Sequence, residues 1–185
     1  MRETLAVLLV FLAGCASASP PIDTVTFRIG TIDGGLCSAT AVAADVLLTA
    51  KHCIKDSDDA LLLEGKRVAI LRQEADAHDH VLLRLRHKFK AWTKTGPSVK
   101  VGQDVQMYGN VESMNQFYRR GYVAGWYGSA LMMDMEIGKG DSGAGIFNMN
   151  GDLVGVVSAV YKGPHARFAV AYPLAFSPKQ LEILG

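Results

Sequence analysis

The chain has 185 residues, 49% of them hydrophobic and 20% charged, with a formal net charge of +1. Enough apolar surface is present to build a core, which excludes global disorder, and the near-zero charge supplies no field to recruit nucleic acid or an anionic membrane. The length suits one domain, or two small lobes sharing a cleft. Residues 1–18 have the order of a secretory signal: Met1-Arg2, an apolar run from Leu5 to Ala13, then small residues ahead of Pro20-Pro21. That run is shorter than the roughly 20 residues a membrane-spanning helix needs, and Glu3 offsets the charge of Arg2. Leu12-Ala13-Gly14-Cys15 fits a bacterial lipobox, in which Cys15 becomes the lipidated N-terminus, whereas Ala16-Ser17-Ala18 suits ordinary cleavage. Both readings place the mature protein outside the cytoplasm, as a cell-envelope lipoprotein attached to the membrane through Cys15 or as a secreted protein.

From residue 24 onward the pattern is one of short β-type runs broken by turn residues. In chain order, strands are expected over 24–29, 38–42, 46–49, 67–71 and 80–85. Between residues 86 and 100 the apolar pattern fades and Arg86, Lys88, Lys90, Lys94 and Lys100 accumulate, which reads as a solvated linker. Only Phe89 and Trp92 interleave with these cations, too few aromatics for a nucleic-acid patch. Strands resume over 105–108, 119–126, 131–133, 144–147, 153–160 and 168–172, with Asn150-Gly151 as the clearest hairpin turn. Many short strands of this kind point to a barrel or a sandwich. At the C-terminus, Ser177 can cap a helix over 177–184, with Pro178 in its first turn and Gln180 completing a capping box.

The cysteines agree with an oxidising compartment. With Cys15 lipidated or removed, Cys37 and Cys53 remain as a pair. The loop they close, about 15 residues, would stabilise the fold by ~3 kcal/mol if they form a disulfide. A zinc site made from Cys37, His52, Cys53, His78 and His80 has no recognised ligand spacing, so neither a metal nor a cofactor is expected.

Three segments carry reactive side chains in a telling order. Residues 47–53 (LLTAKHC) end an apolar strand in His52 beside a cysteine. Residues 79–85 (DHVLLRL) put Asp79 at the opening of a buried strand, and residues 138–145 (GKGDSGAG) hold Ser142 in a glycine-rich turn. Nucleophilic acyl transfer needs a nucleophile, a base, a group that orients the base, and donors for the oxyanion. The stretch 35–53 (GLCSATAVAADVLLTAKHC) resembles the histidine region of trypsin-like serine proteases, the Asp79 segment resembles their aspartate motif, and Gly-Asp-Ser-Gly is their nucleophile signature. The resemblance runs from about residue 34 to 172. It implies two packed six-stranded antiparallel β-barrels with a short C-terminal helix, in a peptidase domain over 22–185. The first barrel would span about 22–88, the linker 86–100 and the second barrel about 101–176. It further implies a triad of His52, Asp79 and Ser142, an oxyanion hole from the N–H groups of Gly140 and Ser142, and a disulfide between Cys37 and Cys53. The activity implied is that of a serine endopeptidase acting on polypeptides, a monomer without a cofactor. Asp76 is the rival to Asp79, and register favours Asp79.

Two departures accompany the resemblance. No Ile-Val-Gly-Gly-like start is present to supply the ammonium that many relatives pair with the acid before the serine, so the partner of Asp141 is left open. The second lies in the pocket: Glu136 stands six residues before Ser142, where the family's specificity residue sits, and implies a preference for Lys or Arg, but Val160 replaces the glycine of open pockets. Ser158 and Val160 lie on the strand that pairs with substrate, with Val160 narrowing the pocket and His165 as another candidate lining residue. The competing reading is a catalytically inactive envelope lipoprotein that uses this fold for binding. Retention of all three triad residues and of the glycine before Asp141 speaks against it.

Overall fold

The computed structural model describes residues 19–31, 34–163 and 167–185. The segment expected to be a secretory signal, with Cys15, and His165 lie outside them. The first half of the chain forms β1 (Thr26–Gly30), β2 (Leu36–Ala43), β3 (Val46–Ala50), β4 (Ala60–Leu63), β5 (Lys66–Ala75) and β6 (His80–Leu85). The second half forms β7 (Asp104–Gly109), β8 (Phe117–Tyr127), β9 (Ala130–Asp134), β10 (Gly145–Phe147), β11 (Leu153–Lys162) and β12 (Arg167–Tyr172). These strands close into two six-stranded antiparallel barrels, ordered β1-β2-β3-β6-β5-β4 and β10-β11-β12-β9-β8-β7. The architecture is the double barrel implied by the resemblance. At the C-terminus, α1 (Pro178–Leu181) carries the full Ser177/Gln180 capping box and then tightens into a 3₁₀ turn, Glu182–Leu184.

Each barrel has its own core, and the two meet in a third. Leu47, Leu61, Leu83 and Leu85 fill the first, while Val105, Met107, Leu131, Met133 and Ile146 fill the second. All five residues of β3 are buried, because this strand has a barrel on each side. Leu47 faces its own barrel, whereas Val46 and Leu48 join Phe147, Leu153 and Val156 of the other in the seam. Alternation along one strand thus supplies both interfaces.

Two sequence expectations need correction. β4 lies outside the expected strands: its Ala60-Leu61-Leu62-Leu63 run is too short to show a period, and pairing with both β1 and β5 makes it a strand. Residues 86–100 are also not simply solvated. Phe89, Thr93 and Val99 are buried, and Thr93 N–H bonds Ala41 O at 3.0 Å while Gly96 N–H bonds Leu153 O at 2.7 Å. The cations of this segment point outward from a strap tied to both barrels.

Candidate active site

The turn after β3 places His52. A single 3₁₀ turn (Lys51–Cys53) follows the strand, and the disulfide from Cys53 to Cys37 on β2, with Cα atoms 6.3 Å apart, holds its far end. Both oxygens of one carboxylate then fix the histidine. His52 Nδ1 lies 2.7 Å from Asp79 Oδ2, and the His52 backbone N–H donates to Asp79 Oδ1 at 3.0 Å. Asp79 is positioned in turn, since Lys51 N–H donates to its carbonyl at 2.9 Å and Ser158 Oγ donates to Oδ2. Ser158 sits where the β11–β12 register shifts between Val157 and Ala159. A bulge of this kind leaves one residue out of the ladder and re-aims its side chain.

The electrostatics follow this geometry. The hydrogen bond to Asp79 raises the pKa of His52, partial burial opposes the rise, and the Asp79 charge adds to it. Burial pushes Asp79 upward, but hydrogen bonds from His52 and Ser158, the His52 backbone N–H and the imidazolium charge outweigh it, and the carboxyl ends below its ordinary value. The pair therefore favours imidazolium beside carboxylate. With Nδ1–H committed to Asp79, Nε2 is the free basic nitrogen, a tautomer assigned from the hydrogen bond.

Asp76, the sequence-level rival, is occupied elsewhere. Its side chain has no exposure and lies 2.7 Å from His80 Nδ1, while His78 N–H and Ala175 N–H donate to it at 2.9 and 3.0 Å. It is a buried clasp between the β5–β6 loop and the C-terminal segment, not a solvated loop carboxylate.

The Ser142 loop is shaped by what its carbonyls accept. Lys139 O takes Glu112 N–H at 2.7 Å, Gly140 O takes Ser38 Oγ at 2.8 Å, Asp141 O takes Ala144 N–H at 2.9 Å and Ser142 O takes Ser38 N–H at 2.8 Å. No peptide here is cis, so each N–H points opposite to the carbonyl of its own peptide unit. Gly140 N–H is thus turned away from Glu112, and Ser142 N–H away from Ala144. Among the described residues neither amide donates a hydrogen bond, which leaves two free donors flanking the serine. Gly140 adopts φ +97°, and a Cβ there would stand 2.3 Å from Asn110 O, so both conformation and space require glycine. Ser142 Oγ itself makes no hydrogen bond among the described residues. Its carbonyl lies 3.8 Å from Cys53 Sγ, beside the histidine turn, and nucleophile–base contacts often tighten only when substrate is seated.

Asp141 has a partner that the sequence did not disclose. Its buried carboxylate takes both arms of Arg119 on β8, at 2.5 and 2.9 Å, plus Gly138 N–H at 2.8 Å. Arg119 also reaches Glu136 O at 3.2 Å. Motif reading could not single out Arg119, because Arg120 beside it is equally basic and only the strand's alternation decides which of the two turns inward.

A cavity of about 460 Å³ adjoins Ser142, lined among others by Val157 and Val160 of β11. Ser158, expected on the substrate-pairing strand, lies on β11 and turns its hydroxyl to Asp79. Glu136 lies outside this cavity and lines a neighbouring one with Asp134. Ligand atoms of Cys37, His52 and Cys53 cluster within 4.8 Å, but the two sulfurs are bonded to each other and offer no thiolate to a metal.

Residues 37–156 match the family model of the trypsin-like peptidase domain. The chain belongs to this family. Among solved structures, it is similar to a serine endoprotease from Yersinia pestis, at 19% identity and a TM-score of 0.70, covering 82% of this chain and 59% of that one. The active form of the Rv3671c protease from M. tuberculosis superposes with a TM-score of 0.72 at 15% identity, covering 89% and 82%. The HtrA-type protease AlgW with a tripeptide gives 0.68 at 19% identity, covering 82% and 56%. This chain therefore spans little more than half of the Yersinia and AlgW chains, and at these identities the likeness is one of fold. No curated protein matches the sequence.

Proposed function

We propose that this trypsin-like domain is a serine endopeptidase working through His52, Asp79 and Ser142. The observation that carries the reading is the two-point hold of Asp79 on His52, in a turn whose Cys53 Sγ lies 3.8 Å from the carbonyl of Ser142. In that serine loop the amides of Gly140 and Ser142 donate no hydrogen bond among the described residues. His52 Nε2 takes the proton of Ser142 Oγ as the oxygen attacks the peptide carbonyl, and the N–H groups of Gly140 and Ser142 receive the developing oxyanion. The imidazolium then gives its proton to the leaving amine, and the acyl-enzyme forms. Water, deprotonated by His52, attacks the ester; collapse releases the carboxylic acid and returns the proton to Ser142 Oγ. The Arg119–Asp141 pair supports this chemistry from behind, holding the loop without a liberated N-terminus.

The Cys37–Cys53 disulfide supports an extracytoplasmic location, and we place the mature chain in the cell envelope, attached through a lipidated Cys15. Activity is tested by fluorophosphonate labelling of the purified domain beside a Ser142→Ala control. Labelling confined to the wild type is expected. A folded wild type that stays unlabelled would instead favour the binding-protein reading.

A further inference from the structure

The cavity beside Ser142 has an unbalanced lining. Part of it is apolar, from Ile137, Val157 and Val160, but three cations, Lys139, Lys162 and Arg167, face a single carboxylate, Glu112. Lys162 and Arg167 stand directly opposite each other across the β11–β12 hairpin. Opposed residues project from one face of a sheet, and Val160, two positions before Lys162, shares that face. Like charges set directly opposite each other destabilise a strand pair, yet among the described residues none of the three cations has a side-chain hydrogen bond or ion pair. An anion entering the cavity relieves that repulsion. Glu136 lies outside this cavity; Arg167 also lines the neighbouring one that holds Asp134 and Glu136, with no ion pair between them among the described residues.

We propose that this cavity selects an acidic side chain, glutamate or aspartate, immediately before the scissile bond, with Lys162 and Arg167 taking the carboxylate while Ile137 and Val160 pack the methylenes. The proposal rests on the endopeptidase reading and reverses the basic preference that Glu136 suggests in the sequence. A lysine at that position would meet a lining with an excess of positive charge, and an uncharged glutamine would forgo the charge-assisted hydrogen bonds.

The test compares rates of Ser142 labelling by a simple fluorophosphonate and by three peptidyl phosphonates that differ only in a Glu, Gln or Lys side chain at this position. The Glu probe is expected to label at least about tenfold faster than the Gln probe, with the Lys probe slowest and the advantage shrinking as salt is raised. Lys162→Ala combined with Arg167→Ala is expected to erase the Glu-to-Gln ratio. Arg167→Glu is expected to accelerate the Lys probe, a gain that misfolding cannot produce. A Glu probe no faster than the Gln probe, or an advantage that survives the double variant, overturns the proposal while leaving the endopeptidase reading intact. A fastest Lys probe overturns it in favour of Glu136. Absence of labelling even by the fluorophosphonate overturns the endopeptidase reading itself.

Discussion

At the scale of single residues, Asp79 decides how His52 behaves. Its two oxygens set the ring, the backbone and the tautomer together, and its hydrogen bond raises the imidazole pKa. In the proposed mechanism His52 acts as a neutral base, and its raised pKa means that protonation sets in at higher pH. The acid limb of kcat/KM should therefore lie above the ordinary imidazole value, with activity falling as pH drops through it. Asp79→Asn removes the raising interaction and permits the wrong tautomer. A loss of about 10⁴-fold in kcat is expected, with the residual acid limb displaced to lower pH, read from a pH–rate profile on a peptide ester. The His52–Asp79 pair was legible in the sequence because motif order and neighbouring residues carry it. Ser158 Oγ as a donor to Asp79 was not, since only the β11 bulge aims it there.

At the scale of elements, β8 supplies what the sequence left open. Arg119 lies on the inward face of its strand with its side chain 12% exposed, and it meets a carboxylate with no exposure at all. Removing one partner of a buried pair leaves an uncompensated charge, at about 3–5 kcal/mol. Arg119→Met should lower the thermal midpoint and slow fluorophosphonate labelling by on the order of 10²–10³-fold, the effect of losing an oxyanion donor. Adding Asp141→Asn should recover part of the stability, which differential scanning calorimetry would read. Strand existence was broadly legible, and β6 falls where the apolar run of residues 80–85 puts it. Strand length was less so: β5 runs on to Ala75 through a register shift between Ile70 and Arg72, which breaks the alternation that would have revealed it.

At the scale of the whole molecule, the site exists because the barrels are locked in one register. Ser38 of the first barrel binds the Ser142 and Gly140 carbonyls, Asn110 Nδ2 donates to Ser38 Oγ at 2.8 Å, and Gly145 N–H reaches Thr40 Oγ1 at 3.1 Å. Gly143 packs directly against the first barrel: at φ +85°, a Cβ there would stand 2.1 Å from Thr49 Oγ1 and 2.2 Å from Ser38 O. Gly143→Ala should push the barrels apart, abolishing labelling and lowering the denaturant midpoint, both measured on the same preparation. The disulfide lies in the core of the first barrel, with Cys53 Sγ 3.8 Å from Ser142 O. Replacing Cys37 and Cys53 by alanine should cost about 3 kcal/mol of unfolding free energy by the chain-entropy estimate, seen as a lower urea midpoint. With the turn that carries His52 no longer tied to β2, fluorophosphonate labelling should fall before the fold is lost.

The sequence by itself determined the family, the double-barrel class and the order of the reactive residues. Short periodic strands, turn residues and motif spacing are local properties that a chain carries along its length. Only the tertiary structure decided which cation meets Asp141, which serine supports Asp79 and which charges reach the cavity beside Ser142. The contacts of Asp141 with Arg119 and of Asp79 with Ser158 join residues far apart in the chain, and the cavity charges are set by strand register and barrel closure. None of these leaves a local mark, because the side chains involved look the same in sequence whichever way their strand turns them.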